Sequence, residues 1–536
     1  MTWIPPEAEQ LSLGPRRELV RSPIGHIVPW LHDFLASDGP GGVVVLGAFG
    51  SGKTTISTAL GEAGAIVVPL RMLVRGGSFE ERWAQAVGDP EAVKQGRPIV
   101  LDGLDEVARP GEGGFAGFFE RVTTLASRWV LTSRPGVFRT DASLPAPHQV
   151  DSLKRRELTT LRILPLQADA VAEALGCRPA PEVCASPILL RLCLESDLRR
   201  SCNPAKVVEH YLRYVGADIP SLIEAGWAAY QDRGLSEESA SFPADAGDHV
   251  LAGQPVERLC VADADGRLRF GHRSLYDYLV ARYLVPFLEA QGPPNLASGL
   301  AISEAMRVFL ANTVQEPRWE EEDSWVTVPA GNYVSGGDFH SDERPLAIRH
   351  LAEPVRIARR PVSNADVVTW LAELDDPPRG ASFLRHWLGG APRPGTHDHP
   401  VQHMRPSDCD AYAAWAGARL PDADEWEKAV RGIGGRRFPW GDHLDPALAN
   451  VSETELDTTQ PIGRQPGQGP GELLNACGDV FEVTSSYSRG RRSRGRVCMG
   501  GSYAHAGETA RCSLRLSHTL SGNLRTGLRL AKDFDQ

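Results

Sequence analysis

Gly47, Gly52, Lys53 and Thr54 stand at the spacing G-x-x-x-x-G-K-T, inside Gly47-Ala48-Phe49-Gly50-Ser51-Gly52-Lys53-Thr54-Thr55. These residue types suit the phosphates of a nucleotide. The glycines let the backbone bend until its N–H groups face the anion. Lys53 reaches the β and γ oxygens, and the Thr54 hydroxyl joins a Mg²⁺ shell. Gly50, Ser51 and Thr55 lie in the same stretch and are assigned to the same site. Further on, Asp102 closes the apolar run Ile99-Val100-Leu101 and would hold the metal, directly or through water. Asp105 or Glu106 would orient the attacking water. Arg134 ends the run Trp129-Val130-Leu131-Thr132-Ser133. A cation there senses or neutralises the γ-phosphate; the alternative is a surface ion pair.

Such groups act together only if strands and helices hold them. Val43–Leu46 is a β-branched run directly before the loop and reads as a buried strand. A helix starting near Gly52 aims its positive end at the anion. Ala65–Leu70, Arg97–Asp102 and Trp129–Ser133 read as further strands, so this part is expected to be α/β. Residues 1 to 40 are rich in Pro and Gly, with one helix expected over Ile24–Ser37. Gly299–Val314 has apolar residues at helical spacing, whereas Glu316–Asp323 is charged and aperiodic, so a domain boundary is placed there. Beyond it Gly, Pro, Trp and Arg become frequent and long helical periods vanish, which reads as α+β.

GAFGSGKTT, IVLDGLDE and VLTSRP together resemble the NACHT branch of the STAND signalling NTPases. Ser186–Cys193 resembles that family's helical-domain segment, which implies that Pro187 packs near the base. Phe270–Leu284 resembles its winged-helix segment, which implies that His272 touches a bound diphosphate. The resemblance divides the chain into an N-terminal segment (1–24), a nucleotide-binding domain (25–165), a helical domain (166–210) and a winged-helix domain (211–290). A connector (291–323) follows.

Residues 324–536 resemble the formylglycine-generating-enzyme/sulfatase-modifying-factor family, a variant of the C-type lectin fold. The resemblance rests on Arg419–Gly432, Phe438–Asp442, Gly478–Glu482, Arg496–Tyr503 and Thr526–Leu530. Members that oxidise cysteine bind copper through two cysteines after the Gly-Gly-Ser block. Here only Cys512 stands there, so the domain is expected to be a ligand-binding version without catalysis. The resemblance also implies a Ca²⁺ site with side-chain oxygens from Asn475 and Glu482 and carbonyls from Gly478 and Val480. The alternative is a metal-free turn held by Asn475. The tail is similar to retroelement-diversified variable proteins, which implies a ligand face of exposed residues: Tyr503, Ala504, His505, Ala506, Ser517, His518, Thr519, Leu520 and Asn523. The basic stretch Ser488–Arg496 is either a surface for an acidic partner or a solvated loop.

Composition bounds these readings. A chain of 536 residues is too long for one core. A net charge of −11 argues against a globally basic nucleic-acid binder. Nine scattered cysteines without a C-x-x-C pair fit a reducing compartment, and no run reads as a signal peptide or membrane span. A cytoplasmic protein is expected. The expected function is an ATP/ADP-controlled switch with slow ATPase activity, whose C-terminal domain recognises a protein ligand or effector. Self-association on ligand binding and a role in bacterial defence or self/non-self recognition belong to the same expectation. The competing readings are a copper-type protein-modifying oxidase with an accessory NTPase, and a nucleic-acid-remodelling ATPase.

Overall fold

In the computed structural model the run Val43–Leu46 is wholly buried, and its side chains alternate between two cores. Val44 and Leu46 join Leu101, Phe119 and Leu131 in one layer, while Val43 and Val45 join Ile56, Leu60 and Val130 in the other. A strand covered by helices on both faces needs apolar residues at every position, which is why this run carries no polar alternation.

The described residues are 7–13, 19–37, 41–47, 51–74, 78–104, 114–133, 158–179, 183, 186–198, 200, 203–233, 241–242, 259–262, 268–270, 273–290, 299–317, 319–322, 324–337, 343, 345–375, 387–388, 390–488, 495–517 and 525–534. Among the residues singled out above, Gly50, Asp105, Glu106, Arg134, His272, His518, Thr519, Leu520 and Asn523 lie outside them. The chain divides into two units, one ending at Leu279 and the other starting at Val280, within the helix Arg273–Glu289. Among the described residues no helix is long and apolar enough to cross a membrane.

The first unit is built on seven strands: β1 (Glu7–Leu13), β2 (Leu19–His26), β3 (Gly41–Leu46), β4 (Ile66–Pro69), β5 (Ile99–Asp102), β6 (Arg128–Ser133) and β7 (Leu158–Ile163). Their order is β2-β1-β7-β3-β6-β5-β4. The five strands from β7 to β4 are parallel, so their carboxyl ends share one edge of the sheet. That edge is where ligands bind in open α/β sheets. The register sets Leu46 beside Ser133 and Val45 beside Thr132, with Leu101 beside Leu131. The end of β5 and the loop after β3 therefore flank the end of β6.

The hairpin β1–β2 was not expected. It adds antiparallel to β7 and extends the sheet. Glu9 pairs across to Arg162, and Arg162 Nε donates to Glu9 Oε1 at 2.6 Å. Among the described side chains of β1, Ala8 and Leu11 are buried, so the apolar period of this stretch is faint. The expected helix forms over Ile27–Ala36. Helices Pro187–Glu195 and Pro204–Tyr214 pack together, and a small sheet follows: β8 (Ser241–Phe242), β9 (Cys260–Ala262) and β10 (Leu268–Phe270), in the order β8-β10-β9.

The second unit combines β11 (Leu300–Ala301), β12 (Glu321–Glu322), β13 (Trp325–Val328), β14 (Gly331–Ser335), β15 (Ala347–Leu351), β16 (Val355–Ala358), β17 (Phe481–Tyr487), β18 (Arg496–Met499), β19 (Leu516–Ser517), β20 (Thr526–Gly527) and β21 (Ala531–Asp533). Three sheets result: β11-β15-β14, β12-β13-β16-β21 and β19-β18-β17-β20. The helix Ala423–Arg431 opens with a capping box between Asp422 and Glu425, and it buries Trp426 completely. Residues upstream of the expected domain start are tied into this unit. Arg307, 2% exposed, donates to Glu304 and to Asp442 at 2.7–2.9 Å, and Glu316 accepts from the Ile433 and Gly434 amides.

Candidate functional site

The loop after β3 is shaped by its glycines. A β-carbon on Gly47 would lie 2.2 Å from Ser51 Oγ and 2.9 Å from Ile163 Cδ1, so no side chain fits there. Gly52 caps the helix Lys53–Glu62 at φ 89°, a conformation that costs other residues energy. Lys53, the first residue of that helix, folds back, and its Nζ donates to the Gly47 carbonyl at 2.9 Å. The Gly47 amide donates to the Ser133 carbonyl at 3.0 Å, joining the loop to the end of β6. Thr54 and Thr55 are exposed on the first helical turn.

Asp102 is 5% exposed at the end of β5. Its Oδ1 accepts from Ser57 Oγ at 2.7 Å and from Thr132 Oγ1 at 2.6 Å. Thr132 Oγ1 also accepts from the Gly103 amide at 2.9 Å. Two hydroxyls thus hold the carboxylate between the loop's helix and β6. Neither Ser57 nor Thr132 was picked out from the sequence; the hydroxyl that reaches Asp102 is Ser57, one turn beyond Thr54. Pro187 stands against the loop, since a β-carbon on Gly52 would lie 3.5 Å from Pro187 Cγ. Three buried hydroxyls at this place, Ser51, Ser133 and Ser186, have no hydrogen-bond partner among the described residues. Buried polar groups are ordinarily paired, so such a group calls for a reason.

In the block 475–482 the polar side chains bond within the protein. Asn475 sits at φ 48°, accepts from the Gly463 amide at 2.9 Å through Oδ1, and donates to Asp479 Oδ2 at 2.8 Å. Asp479 Oδ1 accepts from Asn450 and from the Gln460 amide, both at 2.7 Å. Glu482 is completely buried. Its Oε2 accepts from Trp426 Nε1 at 2.5 Å and from Arg529 Nε at 3.0 Å, and its Oε1 accepts from Arg529 Nη2 at 2.8 Å. The Ca²⁺ reading of Asn475, Gly478, Val480 and Glu482 therefore meets a competing ion pair. The carboxylate it relied on neutralises a buried guanidinium, and a divalent cation would have to displace that cation.

Cys512 is buried in the core of the second unit and hydrogen-bonds the Cys477 thiol, which burial pushes well above the usual thiol range. Copper(I) needs accessible thiolates. A buried thiol pair does not fit that need. The cysteine pairing was invisible in spacing alone.

The expected ligand face is only partly exposed. Ala504 is exposed, while His505 and Ala506 are half-buried. Tyr503 and Ser517 are corrected as surface residues: they are 8% and 2% exposed, and Ser517 pairs across β18–β19 with Val497. Tyr503 hydroxyl donates to Gln402 Oε1 at 3.1 Å, and His505 Nδ1 lies 2.7 Å from Ser502 Oγ.

Comparison with known proteins assigns the C-terminal part. Residues 311–534 match the family described as Sulfatase-modifying factor enzyme 1-like domain. Hercynine oxygenase of Mycolicibacterium smegmatis is 34% identical over 301 residues, covering 45% of this chain and 66% of that protein. Formylglycine-generating enzyme of Streptomyces coelicolor is 34% identical over 191 residues, covering 29% of this chain and 60% of that protein. The chain thus spans about two thirds or less of the length of these relatives. Treponema denticola variable protein 1 overlays 40% of this chain and 99% of its own at a TM-score of 0.31 and 15% identity. The second unit carries a Sulfatase-modifying factor enzyme 1-like domain over residues 311–534.

Proposed function

We propose that the chain is a nucleotide-controlled switch, in which the first unit binds ATP or ADP and the formylglycine-generating-enzyme-type domain recognises a ligand. The observation that carries this reading is the set of groups at one sheet edge. Gly47, Gly52 and Lys53 shape the loop after β3, and Asp102 is held beside it by Ser57 and Thr132. A bound triphosphate gives the unpaired Ser51, Ser133 and Ser186 hydroxyls acceptors within the site. Mg²⁺ arriving with the nucleotide would be held by Thr54 and Asp102 and would neutralise phosphate charge. Lys53 then binds the β/γ oxygens, and Pro187 covers the loop near the base. Nucleotide exchange and self-association driven by the ligand form the output, by a shift between closed and open states. Defence against foreign elements in a bacterium is the setting proposed.

Titration of ATP and ADP into the purified chain tests the reading by calorimetry. Binding that disappears in a folded Lys53→Ala protein supports it. Equal affinity in Lys53→Ala refutes it.

A second reading is oxidation of protein cysteines, favoured by the names of the relatives. The buried Cys477–Cys512 pair weighs against it. Copper-dependent oxygen consumption with a cysteine-containing peptide would establish it.

A further inference from the structure

Among the described residues, the arginines buried in the second unit each face a carboxylate: Arg307 faces Asp442, Arg431 faces Glu427, Arg511 faces Glu343 and Arg529 faces Glu482. Arg525 does not. It is half-buried, and its Nε donates to the Tyr503 hydroxyl at 3.0 Å. Its guanidinium carbon stands 5.8 Å from the Tyr503 ring centre. Among the described residues its two Nη groups make no hydrogen bond, and it has no acidic partner.

Among the described residues no carboxylate pairs with this cation. The Tyr503 hydroxyl donates a hydrogen bond to Gln402. Two imidazoles, His403 and His505, lie within its electrostatic reach. Burial first, and then the Arg525 charge, lowers the proton affinity of both. His505 is fixed by Ser502 and by an edge-on contact with Phe481 at 5.2 Å between ring centres. His403 holds φ 63°, a left-handed backbone that is uncommon for a residue with a β-carbon and collects at functional positions. A half-buried guanidinium without a counter-ion is costly. An oxyanion supplied from outside removes that cost through two charge-assisted bonds.

We propose that Arg525, with Tyr503, Gln402, His403 and His505, forms a subsite for an oxyanion, the carboxylate or phosphate of the ligand that this domain recognises. The proposal rests on the ligand-binding reading of the domain and supplies its chemical class. Arg525 is the anchor through its Nη edge. Tyr503 and Gln402 set the orientation of the guanidinium. The imidazoles respond to the occupant, because a nearby negative charge raises their proton affinity.

The test is NMR of the full-length chain with ¹³C-labelled histidine, at constant ionic strength. Acetate and inorganic phosphate are titrated separately. The expected result is a saturable movement of the His403 and His505 signals with a rise of their titration midpoints. Response to acetate alone assigns a carboxylate ligand, and response to phosphate alone assigns a phosphate ligand. Arg525→Gln should abolish the response and raise both midpoints in anion-free buffer. Arg525→Lys should keep a weaker response. The phosphate arm is repeated in Lys53→Ala protein, where the first unit's loop no longer competes. Signals that move equally in Arg525→Gln, or that never saturate in the unaltered chain, overturn the subsite. Silent histidines in a protein that binds ATP refute this subsite alone. A normal histidine response without ATP binding refutes the switch alone.

Discussion

Replacing Glu482 with Gln separates a structural ion pair from a calcium site. The Arg529 side chain is completely buried, and among the described residues Glu482 is its charge partner, accepting three contacts at 2.8–3.2 Å. Arg529 also donates to the Ala358, Arg359 and Leu474 carbonyls, which satisfy its geometry without neutralising it. Removing one member of such a pair leaves an uncompensated buried charge, at a cost of about 3–5 kcal/mol. For a domain of this size each kcal/mol shifts the melting temperature by roughly 2–4 °C, so Glu482→Gln should melt roughly 6–20 °C lower. Arg529→Met should lose a similar amount, and the double variant less than the sum, because the two share one interaction. Thermal melts by circular dichroism, with EDTA and with added CaCl₂, provide the assay. The ion-pair account expects EDTA to leave the unaltered protein unchanged. Calcium that raises the melting temperature of the unaltered chain, but not that of Glu482→Gln, would refute it.

Other perturbations follow from the same structure. Arg307 holds the Asp442 and Glu304 carboxyls below the usual carboxylate range against the cost of burial. Depressed folded-state values contribute stability above the ordinary carboxylate range, and that contribution is lost as pH falls through the folded values. Arg307→Leu should therefore cost about 3–5 kcal/mol at pH 7 in chemical denaturation, and the gap from the unaltered protein should narrow below roughly pH 4. An equal gap at both pH values would contradict the assigned charges. Ser57→Ala removes one of the two hydroxyls on Asp102, at a cost of about 1.5–3 kcal/mol for a bond to a charged group. It should spare nucleotide binding and slow hydrolysis, as followed by phosphate release; unchanged turnover would remove Ser57 from the site.

Strand β3 and the Gly-rich loop after it were legible because their residues are contiguous and the strand is buried on both faces. Asp102 was legible as an acid ending an apolar run. Its holders were not, because Ser57 and Thr132 meet it only through the packing of a helix and the register of β5 on β6. The β1–β2 hairpin was missed for a different reason. Among the described side chains of Glu7–Leu13, Ala8 and Leu11 are buried, and the Pro- and Gly-rich composition around it hid the strand period. In the second unit the family's blocks were visible, yet the partner of Glu482 lies 47 residues away and that of Arg307 lies 135 away. Motif reading assigned Glu482 by its neighbours in sequence, whereas its charge is set by a residue on the last turn of the fold.

The edge sheet β12-β13-β16-β21 brings the early strand β13 and the final strand β21 onto the two sides of β16. Strands β13 and β21 thus lie two strand spacings, ~10 Å, apart, although nearly the whole domain separates them in sequence. A change at either strand is felt by the other through β16, so this seam couples the early and late parts of the domain.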